Sequence, residues 1–169
     1  MSALAKLTFT GFAGGALYFG LFAADDGQSF AHPAATAIDR LEAKSRIVNG
    51  TGMGSLNVSG GDVTKDGVAI WVGRAGDTRR VRCLVTVEPN GETASVARTD
   101  CAQPKAAGKP IAELGVKAMD IVVREHVAAT IDARDYNIDE VSNKMIALAA
   151  ASAPVMVANL RPPGDEKQR

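Results

Sequence analysis

The chain has 169 residues, of which 19 are basic and 19 acidic, so its formal net charge is zero. Proteins that bind nucleic acid through its phosphates need a strongly basic face, and this balance argues against a nucleic-acid partner. Of the eight aromatic residues (five Phe, two Tyr and one Trp), five lie within the first 22 positions. Phe30, Trp71 and Tyr136 remain for the rest of the chain, too few for the stacking platforms that hold bases or sugars.

The first apolar run, Leu7 to Ala24, predicts a membrane anchor. Its 18 residues include no charged side chain. As an α-helix this run would extend about 27 Å, close to the thickness of the hydrocarbon core of a bilayer. Lys6 precedes the run, and Asp25 and Asp26 follow it. Because basic flanks stay preferentially in the cytoplasm, we expect a cytoplasmic amino terminus and a periplasmic or extracellular remainder.

A cleaved secretory signal is the alternative to this anchor. Cleavage requires small residues at positions −1 and −3, whereas a cut at the end of the run would put Leu21 or Phe22 at −3. A retained anchor is therefore favoured, and both readings export the rest of the chain. Small residues four apart within the run would let a second membrane helix approach, although glycine is also common in such segments without this role. These pairs are Gly11 with Gly15 and Ala16 with Gly20.

The residues after the anchor show first a helical and then a strand period. Pro33 suits the first turn of a helix, and Leu41 and Val48 continue an apolar face at helical spacing, so we predict one helix that ends at Asn49. Beyond the glycines that follow, apolar and polar residues alternate, which is the period of strands. Turn sequences separate four such stretches and predict an antiparallel meander.

The turn near Asn90 sets the pairing register of the last predicted hairpin. Pro89 has no N–H to donate beside a two-residue loop, so we predict a type I turn with Gly91 in the left-handed conformation. This register places Cys83 opposite Ala97.

Two helices are predicted after the meander. The first begins at Pro110 and continues to about Asp132. The second begins at Ile138, where Asn137 and Glu140 resemble a capping box, and continues to about Ser152, because Pro154 should kink or end it. The apolar residues in the second half of this helix are too few and too interrupted for a second membrane span.

The fold class that follows is α+β: an N-terminal transmembrane helix, then a helix, a four-stranded antiparallel meander and two C-terminal helices packed as a two-layer sandwich. In outline alone this order resembles cystatin-like and lipid-binding helix-grip domains, and such an analogy supplies no function. We divide the chain into a transmembrane anchor, a spacer, an extracytoplasmic α+β domain and a disordered tail, over residues 1–24, 25–32, 33–160 and 161–169.

The two cysteines, Cys83 and Cys101, form a candidate disulfide. Outside the cytoplasm two thiols tend to pair. The predicted register opposes the bond, because Cys101 would lie about 13 Å beyond Ala97 along the strand, out of disulfide reach. The sequence therefore leaves open whether the two form a disulfide or are separate small buried side chains.

Arginines provide the one local concentration of charge. The predicted register places Arg82 opposite Arg98, with Arg80 nearby, and like charges that face each other across a hairpin favour a nearby anion. These three residues are a candidate docking patch for an acidic protein surface or for lipid headgroups. The structural alternative is neutralisation by neighbouring acidic side chains.

The sequence predicts no catalytic residue, metal site or cofactor. His126 lies within a predicted helix without ligand-type residues at the positions it would reach, and His32 lies in the spacer. The acidic side chains after residue 119 fall on different helical faces or at helix starts, where they suit the helix dipole. Phosphate loops, dinucleotide fingerprints and nucleophile motifs are not present in the sequence.

The expectation is a single-pass envelope protein whose extracytoplasmic domain is non-catalytic and binds or scaffolds another protein. The second hypothesis is a domain that binds a small molecule or lipid in an apolar cleft between the sheet and the helix that begins at Pro110. An enzyme of unknown class is the third hypothesis.

Overall fold

The computed structural model describes residues 27–160, except 53, 66, 79, 102, 104 and 105. In this part of the chain six strands form one antiparallel sheet in the order β1-β6-β5-β4-β3-β2, and three helices accompany it. The mixed α+β class is confirmed. The elements in chain order are β1 (Gln28–Phe30), α1 (Ala34–Glu42), β2 (Ser45–Val48), β3 (Leu56–Thr64), β4 (Gly67–Arg74), β5 (Arg80–Pro89), β6 (Ser95–Asp100), α2 (Pro110–Ile131) and α3 (Ile138–Leu160).

The predicted fold class is wrong in its strand count, which is six rather than four. One additional strand, β1, lies in the segment that the sequence assigns to the spacer, where it pairs with β6. The other, β2, lies in the segment assigned to the first helix and pairs with β3. Val48 would be buried on a helix as well as in a strand, so its burial does not distinguish the two. Its backbone pairing with β3 shows that it lies in a strand.

The β5–β6 hairpin also differs from the predicted register. Gly91 has the predicted left-handed conformation, with φ of 83°. The loop is nevertheless longer than predicted: the N–H of Asn90 donates to the carbonyl of Ala94, and Pro89 pairs with Ser95. Val87, not Cys83, therefore lies opposite Ala97.

The core lies between one face of the sheet and helices α1 and α2. Leu41 of α1, Ile70 of β4 and Val122 of α2 are fully buried in it. At Gly60 of β3 an added Cβ would lie 2.1 Å from the carbonyl oxygen of Leu41, so only glycine allows the end of α1 to pack this closely on the strand. The strand pairing shifts between Gly60 and Val63, which marks a bulge next to this contact.

Helix α3 packs mainly against α2 and continues to Leu160, past the end predicted for it, with Pro154 inside. The predicted transmembrane helix lies outside the described residues. Within the described residues, no helix is both long enough and apolar enough to cross a bilayer.

Candidate functional site

An apolar groove lies between the first half of α2 and the part of α3 from Ser142 to Met156. It encloses about 530 Å³. The loop at Gly50–Gly52 borders the groove, where the hydroxyl of Ser142 donates to the carbonyl of Gly50 over 3.2 Å. The side chains that line the two helical walls are mostly apolar: Leu114, Gly115 and Ala118 on α2, and Met145, Ile146, Ala149 and Met156 on α3.

Small residues keep this groove open. An added Cβ at Gly115 would meet no other heavy atom within 4 Å, so the wall of α2 has empty space beside it. Two large apolar side chains are exposed here. Ile146, in the α3 wall of the groove, is 67% exposed, and Ile111, one helical turn before Gly115 on α2, is 60% exposed. Exposed apolar side chains around an open groove are able to contact a protein, a membrane or a ligand.

A buried carboxylate fixes the opposite end of the helix pair. Glu125 of α2 is 6% exposed and accepts two hydrogen bonds from the Arg134 guanidinium, of 2.5 and 2.9 Å. It also accepts a 2.6 Å hydrogen bond from the backbone N–H of Asn137. Burial alone would raise the pKa of Glu125, but these hydrogen bonds and the charges of Arg134 and Lys144 hold it below its ordinary value. The ionised Glu125 thus fixes the turn that leads into α3.

The predicted cap of α3 completes this turn. The N–H of Glu140 donates to the Asn137 side-chain oxygen over 3.1 Å, and the Asn137 amide lies 3.4 Å from the Glu140 carboxylate. Lys144 contacts the same carboxylate at 2.6 Å. The bond from Glu140 satisfies one of the N–H groups that the first turn of a helix leaves without partners, and the bond from the Asn137 N–H to Glu125 fixes the start of α3 relative to α2.

His126 is fully buried next to this turn. Among the described residues, neither of its ring nitrogens finds a hydrogen-bond partner. Burial, with the nearby positive charges of Arg46 and Lys44, lowers the pKa of His126 to about 4. The Arg46 guanidinium also lies 5.2 Å from the centre of the Tyr136 ring. Burial raises the pKa of the Tyr136 hydroxyl. His126 is thus an uncharged core residue at neutral pH.

A disulfide joins Cys83 to Cys101 across the β5–β6 hairpin, with 4.1 Å between their Cα atoms. The predicted register is wrong here, and the longer loop explains the bond. Leu84 pairs with Asp100, so the next position along brings the two cysteines directly opposite each other. Both cysteines are buried in the core.

The three arginines of the predicted docking patch share the outer face of the sheet, but Arg82 and Arg98 do not face each other. Arg98 pairs with Thr86 in the hairpin and forms a salt bridge with Glu88. Arg82 lies opposite Trp71 of β4, and Arg80 lies opposite Gly73. Thr86 is four residues from Arg82, so about 13 Å of strand separates the two charges. The like-charge repulsion that motivated the patch is therefore not present between this pair.

The remaining predicted positions do not converge on a site. Gly11, Gly15, Ala16 and Gly20 lie outside the described residues. His32 lies beside Asp132 and Arg40, far along the chain from the groove. In the described part of the chain, no group of three or more His, Cys, Asp and Glu side chains is arranged to hold a metal ion.

Sequence reasoning missed the groove because its walls come from three separate segments. The signal that was present is the small residues Gly115 and Ala118, which lie three positions apart on α2. On a helix this spacing puts them on one face. A helix face that carries only small residues, next to the apolar α3 residues from Met145 onward, predicts either close packing or a groove. Only the tertiary arrangement decides between them.

Comparisons with known proteins supply no relative. The chain matches no protein-family model, and neither the curated proteins nor the solved structures contain a match to it.

Proposed function

We propose that this chain is a single-pass membrane-anchored envelope protein whose extracytoplasmic domain binds another protein through the groove between α2 and α3. The uncharged run from Leu7 to Ala24 supports the anchor. The disulfide between Cys83 and Cys101 supports an oxidising compartment, since cytosolic thiols are kept reduced.

The observation that carries the proposal is the open, apolar groove with the exposed side chain of Ile146 in its wall. An interface with another protein buries its apolar centre and leaves a polar rim in water. The groove provides such a centre, and Asn143 and Lys144 lie exposed on the adjacent turn of α3. The described residues that line the groove include no charged side chain and no histidine, so the groove offers apolar contact rather than proton transfer.

The test uses the full chain in its native membrane. A photo-crosslinking amino acid at Ala149, in the groove wall, should give one discrete adduct with a partner protein. The same probe at Glu92, in the β5–β6 loop, is the matched position outside the groove. Equal adducts from both positions, or none from Ala149, would contradict the proposal.

A second variant distinguishes binding in the groove from non-specific crosslinking. Gly115→Leu should abolish the Ala149 adduct, because the new side chain enters empty space in the groove without meeting another atom near its Cβ. Ala112→Leu adds the same side chain on the exposed surface of α2, outside the groove lining, and should leave the adduct intact. An adduct that survives Gly115→Leu would mean that the partner binds elsewhere.

A small apolar or lipid ligand is the second candidate, because the groove volume of about 530 Å³ falls in the range of ligand sites, roughly 300–1,000 Å³. The site differs from the cleft expected between sheet and helix, where Val122, Val123 and Val127 fill the space and are fully buried. This candidate requires bound lipid or metabolite in the native mass spectrum of the gently extracted protein, lost in Gly115→Leu and kept in Ala112→Leu.

A further inference from the structure

Strand β2 is one of the two edges of the sheet. It pairs with β3 on one side, and in the part of the chain that the structure describes no strand pairs with its other side. An edge strand presents backbone N–H and C=O groups that can pair with another extended chain. The other edge of the sheet is β1, which offers a position for comparison.

The hydrogen-bond pattern shows which backbone groups of β2 face outward. The N–H of Gly60 on β3 donates to the carbonyl of Lys44 over 2.8 Å, and the two residues lie opposite each other in the β2–β3 register. In an antiparallel pair of strands, bonded and non-bonded residue pairs alternate, so Ser45 and Ile47 do not bond to β3. Their two N–H and two C=O groups point away from the sheet.

The neighbouring side chains of β2 hold this edge in position. Val48 is buried in the core, and the Arg46 guanidinium lies 5.2 Å from the centre of the Tyr136 ring. Ile47, between these two residues, lies on the opposite face of the sheet and is 63% exposed. Because the strand is already fixed, a chain that pairs with it pays only its own ordering entropy.

The β2 edge leads directly into the groove between α2 and α3. The strand ends at Val48, and the groove is bordered by the loop that follows, at Gly50–Gly52. At most about 11 Å of chain separates Ile47 from Gly50. A Cβ added at Gly50 would lie 3.4 Å from the side chain of Ile138, so this loop packs against the start of α3. The free edge and the groove are therefore continuous.

We propose that the partner bound in the groove presents an extended apolar segment whose backbone adds to β2 as a further strand. The inference rests on the proposed function, because one partner occupies both places. The outward N–H and C=O groups of Ser45 and Ile47 supply the main-chain hydrogen bonds, and the Ile47 side chain and the groove supply apolar contacts. The segment is apolar because the described residues that line the groove include no charged side chain.

A second copy of the chain fits the β2 edge less well than such a partner does. Two β2 strands paired with each other would bring together four residues from each copy. A stable protein interface involves roughly 20–30 residues on each side. A partner that also fills the groove makes the larger contact.

Proline tests the backbone pairing, because it removes an N–H that the sheet itself does not use. Ile47→Pro is made in the full chain with the crosslinking amino acid at Ala149, in the native membrane. The proline leaves a carbonyl of the partner without its donor, so the yield of the Ala149 adduct should fall by about tenfold. A proline is tolerated on an edge strand where its nitrogen faces solvent.

The matched control is Ser29→Pro on β1, at the opposite edge. Counted from the bond between Asn90 and Ala94, the same alternation turns the backbone of Ser95 toward β1, where it lies opposite Phe30. The adjacent Ser29 therefore also directs its N–H away from the sheet, and it is exposed. Ser29→Pro should leave the Ala149 adduct unchanged. An equal loss from Ser29→Pro and Ile47→Pro would contradict pairing at β2.

Ser45→Pro repeats the test at a position where a folding defect is less of a concern. Proline is accepted as the first residue of a strand, and Ser45 begins β2. This variant removes the other outward N–H and should also weaken the Ala149 adduct. Thermal unfolding of each variant checks that the domain remains folded. An adduct that survives both Ile47→Pro and Ser45→Pro at full yield would overturn the inference.

A crosslinking amino acid placed at Ile47 itself separates this inference from the proposed function. It should capture the same partner as the probe at Ala149, seen as the same added mass. An adduct at Ala149 without one at Ile47 would leave the groove proposal standing and overturn the pairing with β2. Adducts at neither position would remove both. A crosslink between two copies of this chain at Ile47 would assign the edge to self-association and would also overturn the inference.

Discussion

The two ends of the α2–α3 pair differ in how they are packed. Around Glu125 the helices are closed: this carboxylate bonds Arg134 and Asn137, and α2 is buried on nearly all sides from Val122 to Ile131. Around Gly115 the same two helices leave a groove. The closed end fixes the angle between the helices, and this is what allows the other end to stay open without further support.

This difference separates stability from function within one helix pair. Substitutions at the closed end should reduce the free energy of unfolding, whereas substitutions at the open end should change binding with little loss of stability. Substitutions at Glu125, His126 and Gly115 test this separation, and a surface salt bridge on the sheet gives the reference for a small effect.

Removal of the buried carboxylate should have the largest effect. Glu125→Ala leaves the Arg134 guanidinium and the Asn137 N–H without their acceptor. Because Arg134 is 39% exposed and water can reach it, the expected loss is about 3 kcal/mol, the upper end for hydrogen bonds to a charged group. Urea unfolding of the full chain in detergent measures this change. Lys144→Ala, which breaks an exposed pair with Glu140, is the control and should change stability by less than about 1 kcal/mol. Equal effects from both variants would refute a special role for the closed end.

Acid should destabilise the domain through His126. Its pKa is about 4 in the folded protein, well below its ordinary value of 6.5. The unfolded chain therefore takes up the proton first, so the stability that His126 contributes is complete above pH 6.5 and is lost as pH falls toward 4. From pH 7 to pH 5 the free energy of unfolding should fall by about 2 kcal/mol. His126→Leu should reduce this dependence of stability on pH. An unchanged dependence would contradict the role given to His126.

A substitution at the open end should be stabilising. Gly115→Ala adds a Cβ that meets nothing within 4 Å, and alanine is favoured over glycine in a helix by roughly 0.5–1 kcal/mol. Thermal unfolding should therefore show a higher Tm. Gly60→Ala is the opposite case, since its Cβ would collide with the Leu41 carbonyl, and should lower the Tm. A lower Tm for Gly115→Ala would mean that the groove wall is tighter than the geometry shows.

The smallest effect is expected on the outer face of the sheet. Arg98→Ala removes an exposed salt bridge with Glu88, and such pairs contribute at most about 1 kcal/mol. Urea unfolding of Arg98→Ala beside Arg98→Lys checks this, because lysine retains the charge. A loss of several kcal/mol in either variant would show that the salt bridge does more than pair two surface charges.

Local signals in the sequence predicted several features of the fold. Asn137 and Glu140 identified the start of α3, and Gly91 identified its left-handed turn, because these features depend on neighbours within a few residues. The length of the β5–β6 loop could not be predicted, because both registers are compatible with a hairpin. Only the packing of the whole sheet selects the pairing of Pro89 with Ser95. The same register brings Cys83 opposite Cys101 and so allows the disulfide.

Long-range packing explains the other errors. Val48 fits a helix face and a strand equally well, and the available edge of β3 makes it a strand. Pro154 has no N–H to donate to the carbonyl of Ala150. Helix α3 continues through this position because Ala150 is exposed, so water can reach the carbonyl that has lost its donor. The groove depends on how far α2 and α3 separate, and no local pattern encodes that distance.

The compartment of the domain underlies both proposals, and the state of Cys83 and Cys101 in intact cells tests it most directly. Cells that express the full chain are quenched in acid and treated with a maleimide that adds a large mass to each free thiol. Placement outside the cytoplasm predicts no shift without reductant and a shift of two additions after reduction. A chain that gains two additions without reductant has free thiols in the cell, and this result would contradict an extracytoplasmic domain.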